Sequence, residues 1–322
     1  MATEFKLENL HFSRNEFNYL VEGVFVTISH DLTFNNISPN DIVDILYSSR
    51  STDLTATECL DRLNKETFDF KVAIATRAIV VGITIHISRN SISKFTDLRG
   101  IWKILYKTLN DKSGLPIHAS LGSQGFLSIP IFSNGRDTNI SQLLRLHFWD
   151  KSLQNYPKYR KVNFFSVHSH QFHATSWILK GNITNSLFEV EPTETKDEKN
   201  GYCFFNIEWD ETRKYQSNLK KSFAVNSGRF ISVKQLSVEK YFEGQSYEIA
   251  CGDFHDSFVD LDSEFNTFTS TLFLFDGTRG RIKKSEVIGP ANIQRNEVIR
   301  ENNIDPYFYI EKLNFLLTRN QN

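Results

Sequence analysis

Apolar residues follow two different spacings along this chain, and the change from one to the other falls near Gly114. Before that point both periods occur. Phe95, Leu98, Ile101, Trp102, Leu105 and Leu109 recur at three and four, which predicts a helix over 93–110. Ser38-Pro39 reads as the N-cap and first residue of a helix reaching about Tyr47, with Asp41 and Asp44 suited to its dipole. A short helix is predicted over 55–65, with Cys59, Leu60 and Leu63 as its apolar face. Val24, Val26 and Ile28 alternate and predict a strand over 19–29. Ile79, Val81, Ile83, Ile85 and Ile87 alternate strictly and are β-branched, which favours a strand from Ile79 onward.

After Gly114 the pattern becomes short apolar segments separated by Gly, Ser, Asn and Asp. They fall at 126–132, 142–149, 163–170, 176–183, 186–190, 201–209, 229–233, 247–251 and 269–275. Many short strands with frequent turns predict a β-sandwich or barrel. The stretches 191–200 and 210–221 are polar and read as exposed connections. Beyond Pro290 the pattern turns helical again, with candidate helices over 292–302 and 306–318. The second carries Phe308, Ile310, Leu313, Leu316 and Leu317. The reading is therefore an α+β chain: a mixed helix and strand region over 1–113, an antiparallel β-barrel over 114–290 and a helical tail over 291–322.

Composition narrows the function classes more than the fold. The 322 residues are 40% hydrophobic and 23% charged, ordinary for a globular protein. The 28 Phe suggest aromatic-rich cores but specify no chemistry. A formal net charge of −1 gives no overall pull toward nucleic acid or a membrane surface. The basic run 278–284 has no interleaved aromatics and reads as a solvated hairpin. The first residues carry no apolar core of a signal peptide. No apolar run reaches the roughly 18 residues of a membrane span; the best, 73–87, is broken by Thr76, Arg77, Gly82, Thr84 and His86. Cys59, Cys203 and Cys251 lie far apart and form no CxxC pair, which argues against a cysteine zinc site or a disulfide framework. A reduced, cytoplasmic protein is expected. The nucleotide-binding, zincin and serine-hydrolase motifs are absent from the sequence.

The chemistry concentrates in two stretches. Phe165 to Gly181 holds three of the nine histidines within six residues. His168 and His170 are two apart, so on extended backbone both imidazoles project to one face. His173 falls on the opposite face and is not expected to join them. The second stretch, Gly244 to His255, supplies another histidine, and His168, His170 and His255 are read as meeting to hold one metal ion. Arg145 and His147 alternate with Leu144, Leu146 and Phe148. That face either lines the site, where the Arg145 guanidinium suits a carboxylate or phosphate, or lies on a solvent-facing edge. Tyr247 could donate a hydrogen bond near the metal, with core packing as the alternative; Cys251 reads as a small buried residue.

These motifs make the region from about 116 to 290 resemble the cupin superfamily. Cupins place metal ligands from two sequence motifs on the inner wall of a small β-barrel. Of the first motif, His168-x-His170 and Gly181 are present, while Ala174 or Thr175 stands where a Glu belongs and Val162 where a Gly opens the motif. Of the second, Gly244, Gly252 and His255 are present, with Ala250 in place of Pro and Val259 in place of Asn. A three-histidine site without the Glu is similar to the thiol dioxygenase branch, of which cysteine dioxygenase is the best-known type. The resemblance implies Fe(II) held by three neutral imidazoles, a small anionic substrate, and Arg145 as its carboxylate partner. Thr175 stands where cysteine dioxygenases carry a crosslinking Cys. Two further readings stay open. The same imidazoles could hold Zn²⁺ for hydrolysis or isomerisation, and neutral imidazole also suits Ni and Cu. Alternatively the fold serves as a sensor or binding module without catalysis. No nucleic-acid or membrane partner is expected.

Overall fold

The computed structural model describes residues 7–28, 37–47, 53–90, 97–122, 124–134, 141–156, 165–209, 221–262, 267–299 and 304–319. The chain forms two compact units, each discontinuous in sequence. The first comprises 1–118, 129–146 and 305–322; the second comprises 119–128 and 147–304.

Helices dominate the first unit: α1 (Arg14–Ile28), α2 (Pro39–Leu46), α3 (Ala56–Leu63), α4 (Phe70–Arg89), α5 (Leu98–Lys107) and α6 (Pro306–Thr318). A two-residue pairing of β1 (His11–Phe12) with β2 (Leu54–Thr55) accompanies them. Local chemistry sets the helix starts. Ser38 and Asp41 form a reciprocal capping box on α2, as do Thr55 and Glu58 on α3. Asp97 caps α5, so that helix begins later than its apolar spacing suggested, and Phe95 lies outside the described residues. Asp305 caps α6 and Pro306 opens it, and the helix spans the 306–318 expected from sequence.

Two expected strands are helices. In α1 the buried residues Phe17, Leu20, Val21, Val24 and Ile28 recur at three and four, while Val26 of the alternating triplet is only half-buried. In α4 the isoleucine alternation conveys nothing, because Ala78, Val80, Gly82 and Thr84 between them are buried too. A helix enclosed on all sides has no polar stripe to display its period. The few tenths of a kcal/mol that each β-branched residue costs a helix are small beside about 1.5–3 kcal/mol for each large apolar side chain buried. α4 is long and apolar enough to cross a membrane by composition alone, yet it packs among α1, α2, α3 and α5 as a core helix. Its Arg77 is buried, donating to the Thr108 carbonyl (2.7 Å) and hydroxyl (3.3 Å).

Antiparallel strands build the second unit. In chain order the remaining strands are β3 (Ser120–Leu121), β4 (Leu127–Asn134), β5 (Gln142–Asp150), β6 (Phe172–Lys180), β7 (Asn182–Pro192), β8 (Tyr202–Trp209), β9 (Lys221–Phe242), β10 (Ser246–Ile249), β11 (Phe254–Phe258), β12 (Phe268–Arg281), β13 (Val287–Pro290) and β14 (Arg295–Ile299). The unit boundary cuts through β4 and β5. One sheet runs β10-β6-β12-β5-β4-β3; the other runs β11-β7-β9-β8-β13, with β14 on β9. Among the described residues the pairings form these two sheets rather than one closed barrel. The mixed α+β class and its antiparallel sheets agree with the sequence reading. β6 and β7 leave their sheets through Gly181, whose φ of +78° is open to glycine and strained for other residues.

The candidate helix 292–302 is also corrected. β13 pairs with β8 and β14 pairs with β9. Asn226 donates to the carbonyls of Ala291 (3.1 Å) and Ile293 (2.9 Å), which fixes the turn between β13 and β14 and takes acceptors that a helix would use. Residues 210–220 lie outside the described residues.

Candidate metal centre

The HxH segment was expected inside a strand over 163–170. Residues 165–171 instead form an extended stretch ahead of β6, and 163–164 lie outside the described residues. What holds the stretch is a pair of single bridges, His168 to His255 and His168 to Val287. His168 N–H donates to the His255 carbonyl (3.0 Å) and His255 N–H to the His168 carbonyl (2.9 Å). Residues so opposed in an antiparallel pair project to the same side. His170, two residues on, shares that side, and its carbonyl accepts from Gly252 N–H at 3.0 Å. Gly252, at φ +90°, permits the turn that makes this contact. His168 and His170 therefore share a side on extended backbone without a regular strand.

The three rings converge. Their centroids lie 4.7 Å apart for His168 and His170, 4.5 Å for His168 and His255, and 4.8 Å for His170 and His255. One ring nitrogen from each can be chosen so that all lie within 4.8 Å of one another. The Nε2 atoms of His170 and His255 are 2.9 Å apart.

Outer partners fix the tautomers of two rings. His168 Nδ1 lies 2.7 Å from the Ser166 carbonyl, and a carbonyl only accepts, so Nδ1 carries the proton and Nε2 the lone pair. His255 Nδ1 lies 2.9 Å from Asn185 Oδ1, again an acceptor, so its Nε2 also carries a lone pair. Ser257 Oγ donates to the same Asn185 oxygen at 3.3 Å and lies 3.1 Å from the Tyr247 hydroxyl. Asn185, Ser257 and Tyr247 thus form a chain behind His255. Ring orientation by such partners is what metal-ligating histidines require.

Electrostatics keep the rings neutral. Burial lowers the pKa of His168, against the Ser166 hydrogen bond. It holds His170 and His255 well below the usual imidazole value, with neighbouring imidazoles adding to the effect. Neutral imidazoles, two of them with the Nε2 lone pair free of the outer partners, are ligands in waiting. With the His255 lone pair on Nε2, the 2.9 Å contact between the two rings is a hydrogen bond donated by His170 Nε2–H. The donor set fits a bound metal.

Around this group the wall is aromatic. His170 packs against Phe275 (4.7 Å) and Phe273 (5.9 Å). His147 lies among Phe126 (4.2 Å), Phe273 (5.1 Å) and Trp149 (5.9 Å). His147 is buried, and its charge would bear on His170.

The other residues singled out from sequence lie as follows. Arg145 is half-buried at the middle of β5, in the first unit. Tyr247 is buried and meets His255 through Ser257, whose Oγ lies 3.1 Å from the Tyr247 hydroxyl and 3.5 Å from His255 Nδ1. His173 turns toward Glu248, 3.6 Å away. Cys251 is half-buried with a free thiol. In the basic run, Arg279 is paired with both carboxylate oxygens of Glu248 (2.7 and 3.1 Å) and Arg281 covers the Phe172 ring. Gln124, Asn185 and Ser257 escaped the sequence reading; the Gln124 amide lies over the His168 ring, 2.9 and 3.0 Å from its two nitrogens. Ser257, two residues after His255, could have been found by alternation; the other two carry no local signal.

No protein-family model matches this chain, and no curated protein matches it. Among solved structures it is similar to a conserved protein of unknown function from Streptococcus pyogenes, at 11% identity over 48% of this chain and 75% of that one, with a TM-score of 0.22. It is similar to the coconut allergen cocosin at 8% identity over 57% of this chain and 36% of that one, with a TM-score of 0.22. It is also similar to hydroxypropylphosphonic acid epoxidase from S. wedmorenis, at 12% identity over 69% of this chain and 96% of that one, with a TM-score of 0.24.

Proposed function

We propose that the protein is a mononuclear metal-dependent enzyme, a non-haem Fe(II) oxygenase of thiol-dioxygenase type on a cupin-like scaffold over about 114–290. His168, His170 and His255 are its metal ligands. The observation that carries this reading is the convergence of three neutral imidazoles, two of them with their Nδ1 protons committed to outer acceptors. The choice of iron follows the resemblance of a three-histidine set to the thiol dioxygenases.

When bound, iron supplies Lewis acidity and one-electron chemistry toward dioxygen. The protein's own groups do the rest. Asn185 and Ser166 hold the imidazoles in the ligating tautomer. The aromatic wall of Phe126, Phe273 and Phe275 excludes water. The substrate is a small molecule with an anionic group. Arg145 is its partner in this reading, supported by its place two residues before His147 on β5.

Metal analysis of anaerobically purified protein, with oxygen uptake, tests the proposal. About one iron per chain is expected, lost in His168→Ala and His255→Ala. Stoichiometric zinc without oxygen uptake would turn the reading to a hydrolase or isomerase. Failure of the wild type to bind any divalent metal would overturn it. Arg145→Lys should lower kcat/KM roughly ten- to hundredfold at unchanged metal content; wild-type kinetics would remove Arg145 from the site.

A further inference from the structure

The helical unit carries a cavity that the metal centre does not use. α3 and α5 both pack on α4, and between them lies a groove of about 380 Å³. That volume falls within the roughly 300–1,000 Å³ of small-molecule sites. Leu60 of α3, Val72 of α4 and Ile104 of α5 supply its apolar lining, with Phe68 from the turn ahead of α4. Leu60 and Ile104 are only half-buried, and Phe68 is 41% exposed. Single exposed apolar residues are ordinary. Here they share one concave surface, where a bound apolar chain would displace water from all of them at once.

The groove also carries charge. Lys103 and Lys107 line it, and a spacing of four on α5 puts them one turn apart on the same face. Both are exposed, and among the described residues neither ammonium is in an ion pair. Asp61 of α3 is the single carboxylate among the described lining residues, so cations outnumber anions two to one. The length of the α5 wall sets the size of the occupant. From Gly100 to Lys107 it runs about 10 Å at 1.5 Å per residue. An extended hydrocarbon chain advances about 1.25 Å per C–C bond of roughly 1.5 Å, so about eight carbons span it.

We infer that this groove binds a medium-chain carboxylate, with its chain over Leu60, Phe68, Val72 and Ile104 and its head group held by Lys103 and Lys107. An ammonium is a point charge, so the head is recognised by its charge rather than by a two-pronged geometry. The site lies wholly in the first unit and does not rest on the metal-centre reading.

Calorimetric titration of the full chain with octanoate, octan-1-ol and butanoate tests the inference. Octanoate should bind at a single site per chain. Octanol lacks the charge and butanoate lacks the chain, and each should bind at least roughly tenfold more weakly. Replacing both lysines, Lys103→Gln with Lys107→Gln, should weaken octanoate to the level of octanol and leave octanol unchanged. Both positions are exposed, so that variant should keep the wild-type circular dichroism. Leu60→Trp and Ile104→Trp fill the groove from its two walls, and each should abolish binding of octanoate and octanol alike. Asp61→Asn removes the opposing charge and should strengthen octanoate binding about two- to threefold. A wild type that binds no octanoate would overturn the inference and leave the groove to an apolar segment of a partner. So would octanoate binding that ignores the lysine pair and both tryptophans, or equal affinity for octanoate and octanol.

Discussion

Neutral imidazoles are what make this cluster useful, and neutrality has a thermodynamic consequence. His168, His170 and His255 all have folded-state pKa values below the ordinary 6.5, chiefly through burial. The unfolded chain therefore binds more protons than the folded one as pH falls below 6.5. The stability these groups contribute is complete above that value and is lost as pH drops from it toward the folded values. Each can contribute a slope of up to about 1.4 kcal/mol per pH unit in that window. Urea unfolding of chelator-treated protein between about pH 7.5 and about pH 5.5 should show the loss, and replacing all three histidines by Gln should flatten it. Equal slopes for the two proteins would mean the rings are already protonated in the fold. At this scale the sequence was informative where one segment carried two ligands. The spacing of His168 and His170 shows on any extended backbone. Gln124 and Asn185 could not be found, because their link to the histidines is made by a hairpin tip and by cross-strand register.

Among the elements, legibility followed polarity. α2 and α3 were readable because each shows one apolar face and a side-chain cap. α1 and α4 were misread because their valines and isoleucines alternate by accident while the intervening positions are also apolar or small. The turn 291–294 was misread because Asn226, far away in sequence, holds it. Close packing of α1 shows at Gly23, where an added Cβ would stand 2.1 Å from the Phe132 ring. Helix propensity alone favours Gly23→Ala by about 1 kcal/mol. Phe132 is fully buried and has no room to yield, and overpacking of this kind costs about 1–3 kcal/mol, so the clash should win. Gly23→Ala is expected to lower the urea midpoint, and Phe132→Leu in the same chain to recover part of the loss. A stabilised Gly23→Ala would show that α1 shifts freely over Phe132.

Across the whole molecule, the question is whether the metal builds the fold or only uses it. The frame of the site is made by backbone. His168 and His255 exchange both of their hydrogen bonds, Ser169 N–H donates to the Glu286 carbonyl at 2.8 Å, and Ile288 N–H donates to the Val167 carbonyl at 2.9 Å. Apolar clusters stand on their own around it, one with Cys203, Phe205 and Ala224 and another with Phe204, Ile231 and Ile288. A zinc finger lacks such a core, and for that reason its metal is its folding energy. Here the ion should contribute only by mass action, about 2.7 kcal/mol at a free concentration a hundred times the dissociation constant. Chelation should therefore lower the thermal midpoint by a few degrees and leave the far-ultraviolet circular dichroism unchanged. His168→Ala and His255→Ala should behave alike, losing the metal and keeping the spectrum. Loss of cooperative unfolding on chelation would make the ion structural, and the three imidazoles would then be a staple between the HxH segment and β11 rather than a place for chemistry.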